Sequence, residues 1–165
     1  MPKLSKTKLS FRVYFALQQA VLLEKSRGAQ NQIFCRLSIP EELQISGSFT
    51  SFVSLLSQLI GLGIHSYCPN VHQKLVFVTA DWRATELTIR ITDGGSGLRY
   101  QTSIQMSDGG NKNGAIRPQL ILLQAERLIH RNFHGSLSLR SFSNRGTQVT
   151  LKLPVPSDSQ NLDKS

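Results

Sequence analysis

Apolar residues recur at helical spacing in three segments of the chain, and this spacing predicts three helices. The first helix is predicted over 11–26. The second is predicted over 50–67, capped by Ser48 or Thr50, and it is apolar over most of its circumference, which is typical of a buried helix. The third is predicted over 118–133. All three are amphipathic or apolar enough to pack on a common core.

Alternating apolar and polar residues predict six strands between and after these helices. IFCRLSI at 33–39 and ELQISG at 42–47 precede the second helix. LVFVTADW and ELTIRITD form a predicted hairpin with its turn at 81–84, and SLSLRSF and TQVTLKLP form another with its turn at 143–146. The polar stretch 99–114 has no periodicity, and so long a loop inside a compact domain often has a functional origin.

This order of elements predicts an α/β protein, a two-layer sandwich in which helices cover one face of a mixed, mostly antiparallel sheet. We assign residues 10–155 to a single domain. Residues 1–9 are interpreted as a flexible basic leader and residues 156–165 as a disordered tail. No apolar run approaches the roughly 20 residues of a membrane span, and no signal-peptide pattern is present, so we expect a cytoplasmic protein without a membrane partner.

The charge distribution is strongly basic and uneven. The chain has 165 residues and a formal net charge of +9, and residues 1–40 hold seven Lys or Arg but one acid. Such an excess is compatible with a nucleic acid or an acidic protein as partner, and equally with a charged surface that keeps a small domain soluble. Cys35 and Cys68 have no metal-ligand spacing, and we expect two unpaired thiols, with one structural bridge as the alternative.

Three blocks of sequence resemble one known family in the correct order. IPEELQISGSFTSFVSLLSQLIGLGIHSY resembles a stretch that leads into an asparagine-bearing helix. ITDGGSGL resembles a D-x-G-x-G glycine box, with Asp93, Gly95 and Gly97 in the matching places. FHGSLSLRSFSNRGTQVTLKLP resembles the family's closing hairpin, with Gly146 and Thr147 on the pattern. Over roughly residues 10–154 the chain therefore resembles the histidine-kinase-type ATPase family, and within it the sensor-kinase branch.

The resemblance implies a Bergerat-type ATPase fold and an adenine pocket. In the family the aspartate accepts a hydrogen bond from the adenine amino group, and the glycines let the backbone approach the base and ribose. By the same resemblance Thr147 supports the adenine site, and Gln58 falls on one of two asparagine positions. The expected nucleotide-binding residues are thus Asp93, Gly95, Gly97, Thr147 and Gln58, with ATP or ADP as the ligand. The alternative interpretation is that Asp93 to Gly97 only turns the chain.

The chain departs from the family where the metal and phosphates would bind. The magnesium-coordinating asparagine aligns with Leu62, which offers no oxygen ligand to a hard cation. The glycines that cradle phosphates at a helix N-terminus align with Leu120–Leu122, whose bulky side chains oppose a close approach. The upstream DGGNKNG, with Lys112, is an alternative phosphate loop. We therefore expect no required cofactor, no bound Mg²⁺ and no catalytic residue.

Three functions are compatible with this pattern. The first is a stand-alone pseudo-enzyme that regulates signal transduction by binding a histidine kinase, a response regulator or a sigma-type transcription factor. Its predicted surface is the basic arm and first helix, with cations at Lys3, Lys6, Lys8, Arg12, Lys25 and Arg27. The second is a working adenine-nucleotide-binding kinase module that acts in trans. The third is a nucleic-acid-binding protein, which ranks last because basic and aromatic residues do not interleave along the chain.

Overall fold

The computed structural model describes residues 9–68, 70–97 and 118–156. In chain order the elements are β1 (Ser10–Arg12), α1 (Val13–Ser26), β2 (Asn31–Ser38), β3 (Gln44–Ser46), α2 (Phe49–His65), β4 (Lys74–Arg83), β5 (Glu86–Asp93), α3 (Pro118–Phe133), β6 (Ser136–Phe142) and β7 (Gly146–Pro154). The predictions for most of the leader, the loop 99–114 with its DGGNKNG segment and Lys112, and nearly all of the tail lie outside the described residues.

Five of the strands form one mixed sheet in the order β2-β4-β5-β7-β6. The β2–β4 pair is parallel and the other pairs in this sheet are antiparallel. Strands β1 and β3 form a separate antiparallel pair. The predicted fold class, an α/β sandwich with a mostly antiparallel sheet, is confirmed.

The core lies between the helices and one face of the sheet. Strand residues that pair across β4, β5 and β7 put their apolar side chains on this face, and these are Val76, Val78, Ala80, Leu87, Ile89, Ile91, Val149, Leu151 and Leu153. Helix residues such as Leu17, Leu56 and Ile129 are fully buried against them. Each fully buried Val, Leu or Ile side chain contributes about 1.5–3 kcal/mol by leaving water.

Helix α2 passes through the middle of this core. Ser48 caps it, since its hydroxyl accepts a hydrogen bond from the backbone N–H of Ser51 at 3.2 Å. Buried side chains lie on almost all sides of the helix, as its uniformly apolar sequence predicts. The helix ends at His65, and the next residue, Ser66, donates a hydrogen bond to Asp93 at the end of β5.

The first predicted helix begins two residues later than expected. Residues 10–12 are not helical but form β1, in which Phe11 pairs with Ile45 of β3. The ring of Phe11 is buried, with its centroid 5.2 Å from that of Phe52. An apolar strand residue just before a helix fits the helical spacing as well as a helical residue does. Periodicity alone could therefore not distinguish a separate strand β1 from a longer helix α1.

The first predicted hairpin turn is also misplaced. Strand β4 continues to Arg83, and the turn consists of Ala84 and Thr85. Asp81 lies inside the strand, where its carboxylate accepts a hydrogen bond from Arg90 at 3.2 Å. Aspartate is a common turn residue, but here a cross-strand cation favours the extended conformation.

In the described part of the chain no helix combines the length and apolarity needed to cross a bilayer.

Candidate functional site

Asp93 is the last residue of β5 and is buried where this strand meets the end of α2. Its carboxylate accepts hydrogen bonds from the Ser66 hydroxyl at 2.6 Å and from the Gly95 backbone N–H at 2.9 Å. Burial raises the pKa of Asp93 above its usual value of 3.8, and hydrogen bonds from Ser66 and the backbones of Gly95 and Thr147 partly oppose this effect. The aspartate thus ties the sheet, the helix end and the glycine turn together.

The glycine turn packs too closely on its neighbours for larger side chains. A Cβ atom at Gly95 would lie 2.8 Å from the carbonyl oxygen of Ser66. Gly97 has a φ of +79°, and a Cβ there would overlap the carbonyl of Phe142. The backbone N–H of Ser96 donates to Ser66 O at 3.1 Å, so the turn is held against the end of α2. These glycines therefore have a structural role in addition to any role in ligand binding.

Thr147 is buried at the start of β7 and faces the same small cavity as Asp93. Its hydroxyl oxygen lies 3.2 Å from that of Ser141 on β6, and either group could donate. A hydroxyl in this position is already engaged within the protein. Asp93, Gly95, Gly97 and Thr147 are therefore brought together, as the sequence resemblance implied.

The cavity beside Asp93 is almost filled. Its volume is about 10 Å³, and its walls are Leu59, Leu62, Gly63, Ile91, Asp93, Thr147 and Val149. This is about the space that one water molecule needs, so an adenine ring does not fit this conformation. Leu62 is 3% exposed, and a Cβ at Gly63 would lie 3.3 Å from Val76 Cγ2. The helix and the sheet are thus in direct contact where the base would have to enter.

Gln58 does not take part in this cluster. It lies one turn before Leu62, is exposed, and places its Nε2 atom 3.4 Å from the Ser54 hydroxyl. Its side chain lines a separate groove of about 370 Å³ between α2 and α3. Gln58 therefore remains a predicted ligand residue without a contact to the Asp93 cavity.

No side chain of the first turn of α3 lines the cavity at Asp93. Leu120 is 49% exposed and does not line the cavity, whereas Leu122 packs against the hydrophobic core. Leu62 therefore lines the cavity at Asp93, and Leu120 does not. Over residues 9–68, 70–97 and 118–156, no group of three or more His, Cys, Asp or Glu side chains is close enough to hold a metal ion.

Two residues that organise the site were not predicted from the sequence. The Ser66 hydroxyl donates a hydrogen bond to the Asp93 carboxylate. The Tyr67 hydroxyl accepts a hydrogen bond from Gly94 N–H at 2.9 Å and donates one to Leu75 O at 2.7 Å. Both follow α2 directly, and their polarity after an apolar helix was the only local signal. Their partners lie on β4, at the end of β5 and directly after it, and the sequence could not place these segments beside the end of α2.

Comparison with known proteins supports the fold. No protein-family model matches the chain, and no curated protein matches it either. Among solved structures, the nucleotide-free catalytic domain of histidine kinase ThkA is 17% identical, with a TM-score of 0.64 over 89% of this chain and 96% of that one. The mycobacterial sensor histidine kinase MprB is 15% identical, with a TM-score of 0.65 over 90% and 98%.

A third match includes a partner protein. ThkA in complex with the response regulator TrrA is 14% identical, with a TM-score of 0.64 over 91% of this chain and 42% of that one. At these identities the comparisons establish the fold, which is that of histidine kinase catalytic domains.

Proposed function

We propose that this chain is a degenerate histidine-kinase-like ATPase domain that regulates signal transduction by binding another protein, without hydrolysing ATP or phosphorylating histidine. The observation that carries the proposal is the cavity of about 10 Å³ at Asp93. Leu62, which aligns with the family's metal-binding asparagine, is one of its walls and is buried. The fold is retained while the pocket that defines the enzyme is closed by an apolar side chain.

Opening this pocket would disrupt several favourable contacts. Leu62 would have to leave the core, at a cost of about 1.5–3 kcal/mol for re-exposing an aliphatic side chain. The Asp93 carboxylate would also have to share its oxygens with an adenine amino group, although Ser66 and Gly95 already donate to it. A nucleotide would thus have to offset these losses from its own contacts.

The surface of α1 is the best-supported protein-binding region. We define the α1 surface as Phe15, Leu22, Leu23 and Lys25 of the helix together with Arg12, which directly precedes it, and all five side chains are exposed. The three apolar side chains are exposed, Leu22 by 61%. The Arg12 guanidinium lies 5.7 Å over the Phe15 ring. Exposed apolar side chains that are bordered by charged ones often mark protein-interaction sites.

A groove of about 470 Å³ continues the α1 surface towards the edge strand β2, and its walls are Tyr14, Gln18, Val21, Leu22, Lys25, Cys35 and Leu37. Apolar walls with a cation at the rim fit a protein segment that has an apolar face bordered by acidic side chains. Arg27, in contrast, is engaged by Glu24 at 2.6 Å. Since ThkA forms a complex with a response regulator, a response regulator is the first partner to test, followed by a histidine kinase and a sigma-type factor.

The nucleotide part of the proposal is tested by isothermal titration with ATP and ADP, each with and without Mg²⁺. We expect no metal-dependent binding. A metal-dependent Kd below roughly 100 μM, about −5.5 kcal/mol, would overturn the degenerate assignment and favour the alternative, a kinase module that acts in trans. Weak binding without metal dependence would indicate an adenine site that lacks a working phosphate cradle.

The partner part is tested by titrating the protein with purified receiver domains of response regulators from the same genome. Leu22→Asp introduces an anion into the α1 surface and should weaken any complex at least about tenfold, or 1.4 kcal/mol. Leu123→Asp is the matched control, since Leu123 is 44% exposed on α3. Equal weakening by both variants, or no complex with any receiver domain, histidine kinase or sigma-type factor, would contradict the proposal.

A further inference from the structure

The sheet face that points away from the helices carries an exposed aromatic pair. Phe34 of β2 and Phe77 of β4 are direct neighbours in the parallel register. Their ring centroids are 5.3 Å apart at an interplanar angle of 19°, and the side chains are 52% and 48% exposed. Neither ring belongs to the core, so about half of each remains in contact with solvent.

Cations and hydroxyl groups surround this pair on the same face, which we call the open face. Across the register, Phe34 and Phe77 are followed by Thr92, Gln148 and Arg140 in one row. The next row contains Arg36, Thr79, Arg90, Thr150 and Ser138. Two residues along a strand are separated by about 6.6 Å, so each aromatic ring has a guanidinium within side-chain reach.

Two of these cations are free to bind an anion. Arg90 pairs with Asp81 at 3.2 Å, and Lys152 pairs with Glu86 at 3.1 Å. Arg36 and Arg140, both exposed, have no carboxylate within 4.0 Å among the residues that the structure describes. The open face therefore has a surplus of positive charge that its own acids do not neutralise.

The side chains of the open face distinguish between a protein and a nucleic acid as the ligand. The core of a protein–protein interface is mainly apolar and depleted in charge. Here the two rows contain one pair of rings among Thr, Ser, Gln and Arg, and a further exposed ring, Phe142, lies two residues from Arg140 on the same side of β6. Aromatic rings on a sheet, with arginines beside them and hydrogen-bonding side chains between, are typical of surfaces that bind unpaired bases. The five strands span about 19 Å, which is four interstrand spacings.

The geometry points to the open face as a binding surface for single-stranded nucleic acid. Bases stack on the Phe34–Phe77 pair, Arg36 contacts a phosphate beside it, and Arg140 contacts another phosphate about 14 Å from Phe77, three interstrand spacings away. The net charge of +9 increases the rate of association and adds sequence-independent attraction. The open face and the α1 surface consist of different residues, so the tests of the two proposals are independent.

The test is fluorescence anisotropy with labelled oligo(dT) and oligo(U) of about 12 nucleotides, a length within the usual range for one domain. The double variant Phe34→Ala with Phe77→Ala should lose about tenfold or more in affinity, because stacking is removed while the charge is unchanged. Leu123→Ala, an equally exposed apolar truncation on α3, should have no effect. Circular dichroism and thermal unfolding confirm that each variant is folded.

A second pair of variants separates phosphate contacts from general charge. Arg36→Gln with Arg140→Gln should reduce the slope of log Kobs against log salt concentration by about 1.4, because each phosphate contact to a single strand contributes about 0.7. Arg127→Gln with Arg131→Gln removes the same charge from α3 and should leave the slope nearly unchanged. Equal effects of both pairs, together with unchanged binding by the phenylalanine variant, would overturn the proposal in favour of non-specific attraction to a basic protein.

Two further outcomes would overturn it. The first is an absence of measurable oligonucleotide binding by the wild-type protein at low salt. The second is a phenylalanine double variant that binds oligonucleotides normally but loses affinity for a receiver domain, which would make the open face a protein-docking surface.

Discussion

At the residue scale, Asp93 has a structural role that its sequence motif does not reveal. The D-x-G-x-G pattern suggests an aspartate that faces a ligand. In the structure its carboxylate accepts hydrogen bonds from Ser66, Gly95 and the backbone of Thr147 instead. A role in the floor of an adenine pocket and a role in turning the chain are therefore compatible, since the same groups serve both.

Stability should depend on pH through Asp93. Burial raises the folded-state pKa of this carboxyl above 3.8, so its stabilising contribution is complete below pH 3.8 and is lost as the pH rises through the folded-state value. Relative to Asp93→Asn, which does not titrate, the wild type should therefore lose stability from acidic towards neutral pH. Urea unfolding of both proteins between about pH 4 and pH 7 measures this difference. A difference that grows in the opposite direction would contradict the burial argument.

Gly95→Ala should destabilise the protein by about 1–3 kcal/mol, because the added methyl group overlaps the Ser66 backbone. Backbone cannot move away as easily as the end of a side chain. Gly94→Ala is the matched control, since its Cβ would approach only the Tyr67 hydroxyl, at 3.2 Å. Chemical denaturation of both variants tests the prediction. Equal losses at the two positions would show that glycine flexibility, rather than close packing, determines the effect.

At the element scale, a buried carboxylate joins α1 to α2. Glu24 is 2% exposed, accepts a short hydrogen bond from the Ser57 hydroxyl, and pairs with Arg27 at 2.6 Å. A Cβ at Gly61 would lie 3.4 Å from Glu24 Oε2, so the two helices approach closely at this point. An acid within the otherwise apolar α1–α2 contact thus has partners that offset its burial.

Glu24→Ala should lower the free energy of unfolding by about 2–4 kcal/mol, because it leaves the Ser57 hydroxyl without its acceptor and creates a cavity. Glu24→Gln keeps the shape and one acceptor oxygen, so its loss should be clearly smaller. Thermal and urea unfolding compare the two variants. An alanine variant as stable as the glutamine variant would mean that Glu24 contributes little to the contact between the helices.

At the scale of the whole molecule, the sheet has one covered face and one open face. Strand β5 lies at its centre and is hydrogen-bonded to β4 on one side and β7 on the other. Strands β2 and β6 form the two edges. The helices leave one face of all five strands exposed, and this arrangement places Phe34 and Phe77 on the surface.

Hydrogen exchange should follow this architecture. Amides of β5 should exchange slowest, with opening free energies close to that of global unfolding, because both neighbouring strands must separate to expose them. Amides of the edge strand β6 should exchange faster, since it has a single neighbour. Native-state exchange measured by nuclear magnetic resonance tests this order. Similar protection in β5 and β6 would indicate that the sheet opens as one unit.

Several features of the structure could be predicted because they depend on local pattern. The bounds of α3 agree with the prediction, and α2 differs from it by one or two residues, since caps and helical spacing act over a few neighbours. Phe11 and the turn after β4 were misplaced because the deciding contacts, with Ile45 and Arg90, come from other strands. The N-cap at Ser48, in contrast, needed only its own first turn.

The amino-acid sequence by itself determined the order of the elements apart from β1 and the inward-facing side of each strand, because both follow from periodicity. The resemblance of three sequence blocks to one family implied the grouping of Asp93, Gly95, Gly97 and Thr147. Tertiary structure alone decided that Leu62 closes the cavity and that Gln58 lies outside it. It also brought Phe34 and Phe77 into contact across 43 positions of chain, although the aromatic and basic residues do not interleave along the sequence. Distances between segments far apart in the chain depend on how the layers pack, and no local pattern encodes them.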